Sequence, residues 1–152
     1  MIRNATLDDI TELLAMLYVD GGTDVPSHTW MNLDAGKIST ALTWLITKSN
    51  PMVYVFLNEK DRIIGFIAGE ITEAWLGHAL FTTDYALYVR SDYRHKRIAF
   101  KLLNHFIEQS IELGAERIMT TMPLENFNCN SMEKLLERKG FTITSKTYTR
   151  EV

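Results

Sequence analysis

The sequence predicts an α/β domain of the mixed-sheet kind, in which a central, mostly antiparallel sheet is flanked by helices. Three observations carry that expectation. The spacing of apolar residues switches between strand and helix periods in the order β-α-α-β-β-β-α-β-α-β. The three middle strands follow one another through short polar turns, as a meander does. The strand–helix–strand stretch after them needs a crossover, which lays a helix on a sheet face. A chain of 152 residues, 46% apolar and 23% charged, fits one globular domain over 1–152.

Each element has a local reason. Ile2 to Ala5 reads as a short strand, and Thr6 with Asp9 three positions on is a helix-capping arrangement. Ile10, Leu13, Leu14, Leu17 and Tyr18 then mark one helix face, ended by Gly21-Gly22. Residues 20–33 form a loop containing Asp20, Asp24, Pro26, His28 and Trp30, and its acidic members favour a cationic partner. A second helix runs on Ile38, Ala41, Leu42, Leu45 and Ile46 to Ser49-Asn50-Pro51. Val53 to Leu57, the polar turn Asn58 to Asp61 and Arg62 to Ala74 predict a hairpin, followed by a strand over Leu80 to Val89 whose aromatic residues, Phe81 to Tyr88, read as core. Ile98, Leu102, Leu103, Phe106, Ile107 and Ile111 mark the strongest helix, with Gly114 as its cap. Arg117 to Met122 is a short strand, Asn130 caps a helix carrying Met132, Leu135 and Leu136, and Phe141 to Tyr148 alternates as a last strand.

Composition narrows the function. Sixteen basic against nineteen acidic residues give a formal charge of −3, which argues against a nucleic-acid partner. No apolar run approaches the roughly 18 residues of a membrane span, and the amino terminus lacks a signal-peptide pattern. The single cysteine, Cys129, excludes an intrachain disulfide and a cysteine-pair metal knuckle. A cytoplasmic protein without a metal is expected, and Cys129 reads as a small buried filler.

The chemistry concentrates between Tyr88 and Leu103. A buried strand ends in the basic loop Arg94-His95-Lys96-Arg97, which opens directly into an amphipathic helix at Ile98 and Ala99. The first turn of a helix has N–H groups without internal acceptors, and its dipole adds about half a positive charge. With Arg94, Lys96 and Arg97 at the same place, a phosphate or pyrophosphate is the natural guest. Neither Gly-x-Gly-x-x-Gly nor a Walker-type Gly-Lys-Ser/Thr occurs, which disfavours a nucleotide enzyme of those kinds.

Arg94-His95-Lys96-Arg97-Ile98-Ala99 resembles the Gln/Arg-x-x-Gly-x-Gly/Ala loop of the GNAT (Gcn5-related N-acetyltransferase) family, with Val89 and Tyr93 at matching flanking places. Leu135-Leu136-Glu137-Arg138-Lys139-Gly140-Phe141 resembles that family's Leu-Tyr-Glu-Lys-x-Gly-Phe. The element order extends the resemblance over almost the whole chain. It implies transfer of an acetyl group from acetyl-CoA to a primary amine by direct attack in a ternary complex, without a metal. The acceptor is a small-molecule or peptide amine, and the resemblance also raises a homodimer. It places the cofactor on Tyr88, Val89, the residues from Arg94 to Ala99, and Asn128 in the loop before the last helix.

For the base that takes the acceptor's proton, the candidates are Asp84, then Glu70 and Glu73. The resemblance ranks Asp84 first, because ten residues before Arg94 it lies close to where some members of that family place their base. Two positions depart from the family. Arg97 stands at its first glycine, which an arginine accommodates if the local φ is negative, and Leu136 stands at a tyrosine proposed to protonate the leaving thiolate. Tyr148 is the candidate replacement acid, with core packing as its plainer reading. These departures keep open an alternative, a non-catalytic acyl-CoA-binding or regulatory domain of the same fold.

Overall fold

The computed structural model describes residues 1–20, 33–121, 129–148 and 150. Strand β1 (Ile2–Asn4) leads through a 3₁₀ turn (Leu7–Asp9) into α1 (Ile10–Ala15), which continues as a π turn (Met16–Asp20). Then follow α2 (Ala35–Thr47), β2 (Met52–Leu57), β3 (Ile63–Glu73), β4 (Leu80–Val89), a 3₁₀ turn (Ser91–Lys96), α3 (Ile98–Glu112), β5 (Arg117–Met119) and α4 (Cys129–Arg138). The sheet runs β1-β2-β3-β4-β5 in sequence order. All pairs are antiparallel except β4 with β5, which α3 joins as a parallel crossover.

The Thr6–Asp9 capping signal is real. The Asp9 carboxylate accepts the Thr6 N–H at 2.7 Å and receives Arg3 through both oxygens, at 2.7 and 2.9 Å. The Arg3 guanidinium holds the Asp9 carboxyl below the usual carboxylate range, so the start of α1 is tied to β1.

Each face of the sheet has its own core. One buries Leu13, Met16, Leu42, Leu45, Val55 and Phe66 beneath α1 and α2. The other buries Tyr54, Ile67, Ile98, Leu102, Leu103 and Phe106 beneath α3, with Met132, Leu135 and Leu136 of α4 packed against it. Each such side chain contributes about 1.5–3 kcal/mol by leaving water. Among the described residues no helix is long and apolar enough to cross a membrane.

Three expectations need correction. The last strand does not form: residues 141–148 have no regular structure, with Ile143 77% and Tyr148 88% exposed. Alternation offers only Phe141 and Ile143 as an apolar stripe, and the outer strand β5 is three residues long, so ladder and buried face are both lacking. The helix expected after an Asn130 cap already starts at Cys129. The aromatic stretch of β4 is not uniformly core, since Tyr85 is 59% exposed. The expected loop falls largely outside the described residues, which also omit Gly21 and Gly22.

Tyr85 is exposed because β4 carries a β-bulge there. Ala68 pairs with Ala86 and Gly69 with Asp84, leaving Tyr85 as an extra residue. Opposite the bulge the backbones crowd: a Cβ at Gly69 would stand 2.3 Å from the Thr83 carbonyl oxygen and 2.8 Å from the Phe106 ring. Gly69→Ala is therefore expected to destabilise the protein by about 2–3 kcal/mol. Urea unfolding measures this, and an unchanged midpoint would show that β3 and β4 need no close approach there.

Candidate active site

Strand β5 pairs with β4 only from Phe81↔Arg117 to Thr83↔Met119. From Asp84 to Val89, β4 has no strand partner on its β5 side among the described residues. The two parallel strands thus part toward their carboxyl ends, where the 3₁₀ turn passes into α3. In open sheets with parallel strands, the crevice outside the carboxyl ends is where ligands bind.

The turn is held to the strand by Arg94. Its Nε donates to the Val89 carbonyl at 3.1 Å, Nη2 donates to the Tyr88 hydroxyl at 3.2 Å, and the guanidinium lies 5.6 Å from the Tyr88 ring centroid. Tyr88 and Val89 are themselves buried, on opposite faces of the sheet. Lys96 places its ammonium 4.9 Å from the centroid of the half-buried Tyr93 ring. His95 is on the backbone of the same turn, Ile98 anchors the start of α3 in the core, and Ala99 is half-buried beside it.

Arg97 does not have the negative φ expected of an arginine. It is left-handed, at φ 56° and ψ 24°. The turn from the 3₁₀ stretch into α3 demands this conformation, which costs a residue with a Cβ roughly 1–2 kcal/mol. The chain therefore keeps a glycine-like backbone with a cation at its N-cap. Arg97→Gly is expected to leave stability unchanged or slightly raised, strain relief being offset by glycine's chain entropy. Arg97→Val should lose about 1–2 kcal/mol, because branching at Cβ suits this region worst. Denaturant melts of both variants test the contrast, and equal losses would contradict the strain.

Asp84 sits where the two strands part, on the α3 face, opposite Gly69. One carboxylate oxygen, Oδ1, is buried without a hydrogen-bond partner. Burial pushes its carboxyl above the usual range, opposed by the Thr120 hydroxyl and the backbone at Asp84 and Thr121. Folding therefore favours the protonated form. The penalty is absent below the ordinary carboxylate pKa, grows through the interval up to the raised one, and is full above it. Asp84→Asn should accordingly stabilise the fold at pH 7 by on the order of 1 kcal/mol, with the gain fading in acid. A gain of equal size at low pH would show that charge is not its cause.

The other carboxylates are placed differently. Glu70 lies on the opposite, α2 face; one oxygen accepts the Lys48 ammonium and the other the Tyr85 hydroxyl. Burial pushes its carboxyl up, but those two donors outweigh burial and hold it below the usual range. Glu73 pairs with His78 at 2.7 Å on an exposed turn. Tyr148 is nearly fully exposed and has no hydrogen-bond partner among the described residues, so it is not a packed aromatic. Asn128 lies outside the described residues. Leu136 packs into the α3-side core. No group of three metal-ligating side chains occurs among the described residues.

Asp84 to Val89 thus follow one another along β4 beyond its ladder with β5 and lead into the 94–99 turn, with Tyr88 facing the α2 side and Asp84 the α3 side, and Glu70 lies across the sheet from Asp84. Sequence reasoning missed Tyr85, Lys48 and Trp44. The bulge has no signature in the alternation of β4, and Lys48 reads only as a polar residue ending a helix.

The sequence profile of the Acetyltransferase (GNAT) family matches residues 10–141. The chain belongs to this family, which carries out acetyl transfer and generally uses acetyl-CoA. No curated protein matches the sequence significantly. Solved structures agree on the fold. A transcriptional regulator from Bacillus halodurans C-125 superposes with a TM-score of 0.77 at 20% identity, covering 100% of this chain and 99% of its own. Glucosamine-6-phosphate N-acetyltransferase from Arabidopsis thaliana gives 0.70 at 14% identity, covering 99% and 97%. Ribosomal-protein-alanine N-acetyltransferase from Brucella melitensis biovar Abortus 2308 gives 0.69 at 15%, covering 100% and 99%.

Proposed function

We propose that this protein is an N-acetyltransferase that moves the acetyl group of acetyl-CoA to a primary amine by direct attack in a ternary complex. The observation that carries the proposal is Asp84, a buried carboxylate with one oxygen lacking a hydrogen-bond partner and its pKa raised by burial, at the point where β4 leaves β5. Perturbed groups of this kind concentrate at functional sites. A domain that only binds acyl-CoA has no use for a destabilising carboxylate beside the opening, so this favours the enzyme over the binding-only alternative.

The residues present fit the cosubstrate. N–H groups of the first turn of α3, the left-handed backbone at Arg97, and the cations of Lys96 and Arg97 suit a pyrophosphate. The edge of β4 from Asp84 to Val89 suits an extended amide-bearing arm, which would add to it as a strand does. Acetyl-CoA supplies a thioester activated toward amines. The chain's own contribution is orientation, a β4 backbone N–H aimed at the thioester oxygen, and a proton acceptor. An acceptor amine arrives as an ammonium and must lose a proton before it attacks. Asp84 takes that proton, directly or through one water. Glu70 is less suited because both of its oxygens are engaged and its carboxyl is held acidic. With Leu136 packed in the core, the thiolate leaves without a tyrosine acid from α4. The single cysteine suits a reducing compartment, so the proposal places the reaction in the cytoplasm.

A thermal melt with acetyl-CoA and a mass-spectrometric search for acetylated product in an amine panel test this together. At one hundred times its dissociation constant the ligand should add about 2.7 kcal/mol, raising the melting temperature by roughly 5–10 °C. Adenosine diphosphate should shift it little. Arg94→Glu should remove the shift. Asp84→Asn should keep it while lowering turnover about 100-fold or more, and wild-type kcat/KM should fall with acid at a pH above the ordinary carboxylate range. Wild-type turnover by Asp84→Asn at every pH would remove Asp84 as the base; acetyl-CoA binding without product from any amine would favour the binding-only domain.

A further inference from the structure

The residues on either side of Asp84 are both fastened to Glu70, on the far face of the sheet. The ladder from β4 to β5 ends at Thr83, so among the described residues no strand on that side fixes β4 at Asp84. Toward β3, Thr83 pairs with Glu70, whereas Tyr85 is the bulged residue and has no partner in the register. Its side chain supplies the missing tie. The Tyr85 hydroxyl donates to one Glu70 oxygen, and the other oxygen accepts the Lys48 ammonium from the end of α2. Glu70 thus holds Thr83 through the backbone and Tyr85 through a side chain. The Tyr85 ring is 59% exposed and gains little by burial, so the hydrogen bond is the use this position has for a phenol. Asp84 itself lies opposite Gly69, which the Phe106 ring of α3 covers, and beside the Thr120 hydroxyl beyond β5. Burial and hydrogen bonds, not a neighbouring charge, set its proton affinity, so that affinity follows its placement.

Resting on the acetyl-transfer reading, we infer that Glu70 and Tyr85 are positioning residues, whose hydrogen bond holds the bulge so that Asp84 stays turned to the α3 face where it meets the acceptor amine. Neither touches the reacting atoms; both act through the backbone of β4. Lys48 ties Glu70 to α2 and serves stability, because the bond from Tyr85 to Glu70 does not pass through it. Without that bond the bulged residue keeps only its backbone neighbours, and the Asp84 carboxylate gains freedom to reach water.

The test is a carbon-13 NMR titration of the aspartate carboxyls in the full chain without ligand, the Asp84 signal being the one that Asp84→Asn removes. In Tyr85→Phe the Asp84 midpoint should fall toward the ordinary carboxylate range by about half a pH unit or more. Glu70→Ala should match it, while Glu70→Gln, which keeps an oxygen for the phenol, should stay near wild type. Lys48→Met should lower the melting temperature and leave the midpoint in place. With acetyl-CoA and the amine giving most product in the panel, Tyr85→Phe should lower kcat about fivefold or more and leave the melting shift with acetyl-CoA unchanged. A wild-type midpoint and kcat in Tyr85→Phe would overturn the inference. So would an equal change of midpoint in Lys48→Met, which would mark general loosening. The expected midpoints without product from any amine would support the positioning of Asp84 and count against the acetyl-transfer reading.

Discussion

The architecture of the opening depends on one backbone constraint, the bulge at Tyr85 set against the close approach at Gly69. A regular strand would keep the rotation of β4 continuous and offer β5 a full parallel ladder. The extra residue bends β4 just after Thr83, and the ladder to β5 ends at the same place. Gly69 is what lets the two backbones crowd there without pushing β3 aside. Tyr85 and Ala86 consequently share the α2 face, while Asp84 faces α3.

That division separates two kinds of electrostatics. On the α3 side, a carboxylate is desolvated and incompletely bonded, which is costly to the fold and useful to a proton transfer. On the α2 side, a carboxylate is saturated by an ammonium and a phenol, which hold it in its charged form. Burial pushes the Tyr85 hydroxyl up to about 12, reinforced by the Glu70 carboxylate, so at neutral pH it remains a donor. Two acidic groups on neighbouring strands thus acquire different proton affinities from their surroundings alone.

Much of this was legible in the sequence. Strand and helix periods placed β2, β3, β4, α2 and α3 within one to three residues, because each buries a full face and its apolar spacing is strict. The basic turn before α3 was legible because it interrupts a buried strand and precedes a strong amphipathic helix. The bulge was not, since one inserted residue in an aromatic strand leaves Tyr85 looking like its neighbours Phe81 and Tyr88. The sign of φ at Arg97 was also hidden; the side chain argued for an ordinary conformation, and the geometry of the turn overrode it. Phe141 to Tyr148 misled in the opposite direction. Alternation there was genuine, but a strand also needs an edge to pair with, and that is a property of the whole sheet.

The central claim is that the edge of β4 beyond its ladder with β5 and the first turn of α3 together receive acetyl-CoA. Amide hydrogen exchange with and without acetyl-CoA tests it most directly. The account predicts slowed exchange concentrated at residues 84–89 and 97–100, with little change at β1 and β2. Protection confined to other elements, or none at saturating acetyl-CoA, would contradict it.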